Sequence, residues 1–276
     1  FAAGLRYENI GFKYEACDDD EGLKYSLFDE VKFDRSYHHF YPNAMAAVKL
    51  GNSKLSLSYA RSYNQVNMAN IKVHISSSFR VSDYLLLTER ISSTVLDWTW
   101  KWVEVNAAHR HYDDPLCHTT DGNIDFNGKN YNALDFNINL TPQFGIWKPT
   151  LTLHSHKQWF NIKLSDGRTC LNSPLYEVQW FNTFTLPQDW SIRLNGNWHS
   201  KGCDRNVRYY KGNFQLDAAI QKNLLNNKFT VELSGSNLLR GSWDDVTIYT
   251  DYHEHANKGH KNRIERSVIL SLTYKL

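Results

Sequence analysis

The stretch RSVILSLTYKL (266–276) sets Val268, Leu270, Leu272, Tyr274 and Leu276 on one side of a strand and Ser267, Ser271, Thr273 and Lys275 on the other. Successive strand side chains point to opposite faces, so this period of two describes a strand with one apolar and one polar side. A clean amphipathic strand in the closing position is what a membrane β-barrel is expected to show, because its wall is completed by its last strand.

The same alternation runs through most of the chain, and helical spacing almost nowhere. In LDFNINLT (134–141) Leu134, Phe136, Ile138 and Leu140 alternate with Asp135, Asn137, Asn139 and Thr141. WSIRLNGNW (190–198) sets Trp190, Ile192, Leu194 and Trp198 against Ser191, Arg193, Asn195 and Asn197. Phe229, Val231 and Leu233 oppose Thr230, Glu232 and Ser234, and Leu96, Trp98, Trp100 and Trp102 alternate with Asp97, Thr99 and Lys101. The pattern predicts about twelve strands, near 3–15, 36–49, 54–63, 70–80, 95–110, 129–141, 147–162, 174–185, 190–201, 209–222, 228–239 and 263–276. Many exceed the roughly five or six residues of an ordinary strand and match the roughly nine to eleven that cross a bilayer at a tilt.

Composition fits a wall with one greasy and one wet face. Aromatic residues make up 14%, including nine Trp and sixteen Tyr, yet mean hydropathy is −0.56. No Pro-, Gly- or Ser-rich linker divides the 276 residues, so one domain over 1–276 is expected. No apolar run nears the roughly 18 residues of a spanning helix, and FAAGLRYENI (1–10) lacks the features of a signal peptide, which fits a soluble chain or a piece of a longer one. A net charge of +2, without a basic stripe interleaved with stacking rings, argues against a nucleic-acid partner. Cys17, Cys117, Cys170 and Cys203 form no CxxC, which disfavours structural zinc and leaves their pairing open.

The connections alternate in length. GNSK (51–54), the segment 142–146, LPQD (186–189) and NLLNNK (223–228) are short and rich in turn formers, whereas 16–34, 111–128, 163–173 and 240–262 are long and polar. Tight periplasmic turns facing long extracellular loops are a property of outer-membrane barrels, and with a periplasmic C-terminus every short turn falls on the periplasmic side. Alternation alone also permits a β-sandwich. The rings favour a barrel: Trp147, Trp180, Trp190, Trp198, Tyr209, Tyr210 and Tyr274 cluster toward strand ends, as an interfacial girdle requires.

FNTFTLPQDWSIRLNGNWHSKG (181–202), GNFQLDAAIQKNLLNNKFTVELSGSNLLRGSW (212–243) and the closing SVILSLTYKL (267–276) resemble the C-terminal barrel of TonB-dependent receptors, of the outer-membrane β-barrel family common in Bacteroidetes. GLRYE (4–8), the stretch 41–63 and LDWTWKWVEVNAAHRHYDD (96–114) resemble it more loosely, while residues 64–92 lack the Arg-Pro and Gly-Asn-Pro motifs of relatives, and the terminal Phe is absent. The resemblance implies an all-β, up-and-down transmembrane barrel in the bacterial outer membrane, this chain being the C-terminal part of a wall of about 22 strands. It also implies partners: membrane lipid, an N-terminal plug not contained here, through it the TonB complex, and a nutrient to be imported.

On that reading recognition belongs to the loops 16–34, 111–128, 163–173, 202–208 and 240–262. DYHEHANKGH (251–260) offers His253, His255 and His260, and HRHYDD (109–114) offers His109 and His111, as candidate ligand contacts; incidental loop histidines explain them more simply than a metal centre. Arg193, Glu232, Asp217, Asp135 and Lys101 are expected on the lumen face, as are His154 and His156, and the Trp98, Trp100 and Trp102 stripe toward lipid. With no GxSxG and no nucleophile, base and orienter set, catalysis is not expected, and no cofactor is implied. The alternatives are a self-contained small barrel, porin or hydrolase, and a soluble carbohydrate-binding sandwich.

Overall fold

A computed structural model describes residues 1–16, 31–64, 88–118, 124–161, 171–239, 246–249, 254–255 and 266–275. Twelve long strands form one antiparallel sheet in chain order: β1 (Ala2–Ala16), β2 (Val31–Leu50), β3 (Ser53–Asn64), β4 (Glu89–Trp100), β5 (Val103–Asp113), β8 (Tyr131–Leu140), β9 (Trp147–Trp159), β10 (Leu175–Leu186), β11 (Trp190–His199), β14 (Asn213–Leu224), β15 (Phe229–Ser236) and β18 (Ser267–Tyr274). Short strands lie in three of the long connections: β6 (Leu116–His118) pairs with β7 (Ile124–Asn127), while β12 (Gly202–Asp204), β13 (Val207–Tyr209), β16 (Val246–Tyr249) and β17 (Glu254–His255) form a small sheet of their own. A second layer of long strands, as in a sandwich, is absent among the described residues.

Register turns the alternation into continuous rows. Val48, Leu55, Trp98, Val105, Ile138, Leu153, Val178, Trp198 and Phe214 are partnered in succession from β2 to β14. The neighbouring row reads Ser56, Asp97, Asn106, Asn137, His154, Glu177, His199 and Asn213. Farther along, Trp147, Phe184, Ile192, Ile220, Leu233 and Leu270 make a second apolar row. A one-residue slip anywhere would exchange the faces, so every strand specifies the register of the next.

Large apolar side chains are exposed on one face: Val48 is 47% accessible, Leu134 45%, Phe136 44% and Leu233 47%. For a protein in water this area would be a severe liability; in hydrocarbon it is the natural solvent-facing surface. Gly196 lies on this face under Trp180, where a Cβ would meet the indole Cε3 at 2.4 Å. The ring covers the glycine and fills the gap that its missing side chain leaves, an aromatic rescue within the wall.

The segment 95–110, expected as one strand, is a hairpin. Trp100 pairs with Val103 across the turn residues Lys101 and Trp102, and Lys101 takes φ 51°. A positive φ at the first position of a two-residue turn matches strand twist. The Gly51 turn between Leu50 and Ser53 does the same with φ 59°, at no steric cost. Lys101 therefore does not face a lumen: it sits at the turn end, with Nζ 4.9 Å from the Trp100 ring centroid. Trp98, Trp100 and Trp102 accordingly gather at one end of a hairpin, an aromatic girdle rather than a stripe across the sheet. The proposed strand at 70–80 lies outside the described residues. With the hairpin restored, the connections 51–52, 101–102, 141–146, 187–189 and 225–228 lie at one end of the sheet, opposite the long ones.

Candidate functional site

Polar residues on the inner rows bond along and between strands. Asn106 Nδ2 donates to Asp97 Oδ1 at 2.6 Å, and Asn137 Nδ2 to Asn106 Oδ1 at 3.3 Å. Asp135 on β8, 5% accessible, is the densest node. It pairs with the Arg110 guanidinium from β5, with His156 Nδ1 at 2.7 Å and with His154 Nε2 at 3.4 Å, while His154 Nδ1 lies 3.4 Å from Glu177. These groups meet because β5, β8, β9 and β10 are consecutive neighbours and all five side chains have polar-face parity.

At the loop end the connections fold back over the polar face. Tyr112 and Tyr131, at the tips of β5 and β8, stack with ring centroids 4.5 Å apart and 5° between planes, and Phe160 lies 4.7 Å from Tyr131. Cys117, Leu171, Cys203 and Tyr249 complete a buried cluster drawn from four connections. The largest buried apolar cluster is thus a cap on the mouth rather than a core between layers. Gly128 closes against it, since a Cβ there would meet Cys117 Sγ at 2.8 Å.

Arg205, between β12 and β13, ties the cap together. Its Nη1 lies 2.9 Å from Glu89 Oε1 and donates to the Leu116 carbonyl at 2.7 Å, and its guanidinium carbon is 5.6 Å from the Tyr112 ring centroid. Burial works against its charge, but the facing Glu89 carboxylate holds the guanidinium pKa above its ordinary value. Glu89 at the start of β4 is wholly buried and also accepts from Asn64 Nδ2 at 2.6 Å. Gln158 joins the cap to the wall. Its amide nitrogen donates to the carbonyls of Leu171 (2.7 Å) and Arg205 (2.9 Å), its oxygen accepts from the Arg205 amide at 2.8 Å, and His156 Nε2 is 3.3 Å away. One polar chain therefore runs from Asp135 on the wall through His156, Gln158 and Arg205 to Glu89. Asn206 holds β16 by donating to the Tyr249 carbonyl at 2.9 Å.

The residues singled out from sequence are distributed differently. Arg193 Nη2 lies 2.6 Å from Glu232 Oε2, two strands away on the polar face. Asp217, opposite Asn195, accepts from the Asn237 amide at 2.7 Å. Asp135, His154 and His156 form the node described above. His109 and His111 are not loop residues: they lie in β5 with the parity of Val103 and Val105, on the apolar face, because β5 extends to Asp113. His255 pairs in β17 with Ile248, and His253 and His260 lie outside the described residues. Among the described residues no group of three or more His, Cys, Asp or Glu side chains is arranged to hold a metal ion. Arg205, Gln158 and Glu89 carried no signal in sequence: each is a polar residue in a polar context, and their meeting is a product of loop folding.

The comparisons agree with this architecture. The sequence matches the outer membrane protein β-barrel family over residues 1–274. No curated protein matches it. Similar solved structures include the ferric-catecholate import receptor Fiu from Escherichia coli K12 (TM-score 0.61, 16% identity, 98% of this chain and 41% of that one). The FrpB iron transporter from Neisseria meningitidis is similar to the same degree (TM-score 0.61, 13% identity, 99% and 41%). At these identities the likeness is one of fold, and the chain spans 41% of the length of either. The chain belongs to the outer membrane protein β-barrel family, and its apolar face is built for the lipid of the bacterial outer membrane.

Proposed function

We propose that this chain is part of the wall and mouth of a larger receptor barrel that takes up a nutrient in a TonB-dependent manner, with no catalytic step. The observation that carries the reading is the cap. Connections at the loop end turn inward, pair the half-buried Arg205 with the fully buried Glu89, and cover the polar face at the end that faces the outside in an outer-membrane barrel. A nonselective pore has no need of such a closure, whereas a receptor needs a shaped, rigidly supported mouth.

The wall supports the same reading. The sheet ends at β1 and β18, which do not pair with each other among the described residues. Open edges demand partners, and the span of 41% of the solved relatives suggests where they would come from. The rest of such a barrel, a plug and, through the plug, TonB are the partners this proposal requires.

The experiment is a growth assay with the full-length gene deleted and restored, on single limiting sources: ferric chelates, cobalamin, peptides and glycans. The proposal expects rescue on one class, abolished when TonB is removed. Rescue that persists without TonB, rising linearly with concentration, would make the barrel a passive pore.

A further inference from the structure

The apolar face changes character near its loop end. Its middle rows are greasy, with Leu57, Leu96, Ala107 and Phe136 in succession. The next row outward is Tyr59, Thr94, His109, Leu134 and Lys157, and the one beyond is Arg61, Ser92, His111, Asn132 and Trp159. Arg90 and Asp113 follow, paired at 2.7 Å, with Asp113 also 3.1 Å from His111. On these rows Arg61, Arg90 and Lys157 stand against the single carboxylate of Asp113, with two imidazoles beside them.

Cations on a lipid-facing surface call for an explanation, because the hydrocarbon side of a barrel disfavours Lys and Arg. Lys157 lies about ten residues above Trp147, roughly 25 Å along the membrane normal at about 3.3 Å per residue and a tilt of about 40°. That is the height of the apolar band, so the cation meets headgroups. Its Nζ bonds the Asn172 carbonyl and lies 5.9 Å from the Trp159 ring centroid. Arg61 Nε donates to Ser92 at 3.3 Å. Both cations are steadied with donors to spare. Leu134 and Trp159, 45% and 46% accessible, sit among them. Apolar surface continues directly below the charge, which is the pattern of an amphiphile: an anionic head with acyl chains beneath it.

We propose that Arg61, His109, His111 and Lys157 form an outward-facing site for the phosphate-bearing headgroup of an outer-leaflet lipid, whose chains lie down the rows of Phe136 and Ile138. The site depends on the chain's place in the membrane and not on what the barrel transports. The test is native mass spectrometry of the full-length protein in mild non-ionic detergent, titrated with dioleoyl phosphatidic acid or dioleoyl phosphatidylcholine. Phosphatidic acid should be retained about tenfold better, the Arg61→Gln/Lys157→Gln variant should lose that preference, and Lys228→Gln in a periplasmic turn should keep it. Millimolar inorganic phosphate should not displace the lipid; displacement would mean a site for the free anion and overturn the proposal. Equal retention of the two lipids, or a preference that survives in the double variant, overturns it as well. Should that variant fail to fold, salt titration of the wild type decides, since a preference insensitive to ionic strength contradicts a headgroup site.

Discussion

Arg205 Nη1 and Glu89 Oε1 stand 2.9 Å apart although 116 residues separate them, and Glu89 has no solvent exposure. The pair joins the connection after β11 to the start of β4, across strands that do not touch. Removing Arg205 leaves the wholly buried Glu89 carboxylate without its counter-ion, which costs far more than the intact pair contributes.

Arg205→Ala should therefore loosen the cap while leaving the wall standing. The expected loss is about 3–5 kcal/mol in local opening free energy. Hydrogen exchange should show faster amides in 200–212 and 114–118 with β9 and β10 unchanged. Uniform acceleration along the wall would mean that the pair supports the whole sheet.

Gly196→Leu should destabilise the barrel through the Trp180 contact, since even a Cβ would come within 2.4 Å of the ring. A cost of about 1–3 kcal/mol is expected from overpacking. Urea titration of the refolded protein in lipid measures it. Combining the change with Trp180→Ala should recover part of the loss, because the two residues share one space. Strict additivity would show that the ring does not lie over the glycine.

Adjacent positions on β14 separate the faces. Ile220→Arg places a charge in the row of Ile192 and Leu233 and should cost about 2–4 kcal/mol near the membrane midplane. Gln221→Arg places it opposite Glu232 on the polar face, where the cost should stay below about 1 kcal/mol. The same urea titration reads both, and equal costs would contradict the assignment of faces.

The long strands were legible because one period of two repeats through nearly the whole chain, and membrane and lumen each hold one side of it. The hairpin at Lys101 was hidden for a specific reason. Trp98, Trp100 and Trp102 keep their spacing through a turn whose left-handed position is filled by lysine rather than glycine, so nothing interrupts the alternation. For the same reason His109 and His111 read as loop: their polar types suggested water, while their parity belongs to the lipid side. The cap was invisible, because the contact of Arg205, Gln158 and Glu89 is set by how separate loops pack and leaves no local pattern.

The central claim is that paired rows separate a lipid-facing from a water-facing surface across the wall, and spin-label accessibility tests it most directly. Nitroxides are placed singly at Thr152, Leu153, Val178 and Gln179, in full-length protein whose native cysteines are replaced, reconstituted in lipid. Leu153 and Val178, partnered on one row, should collide with oxygen and be shielded from a nickel chelate, and Thr152 and Gln179, partnered on the next, should show the reverse. Similar accessibility at all four positions, or the opposite order, would contradict it.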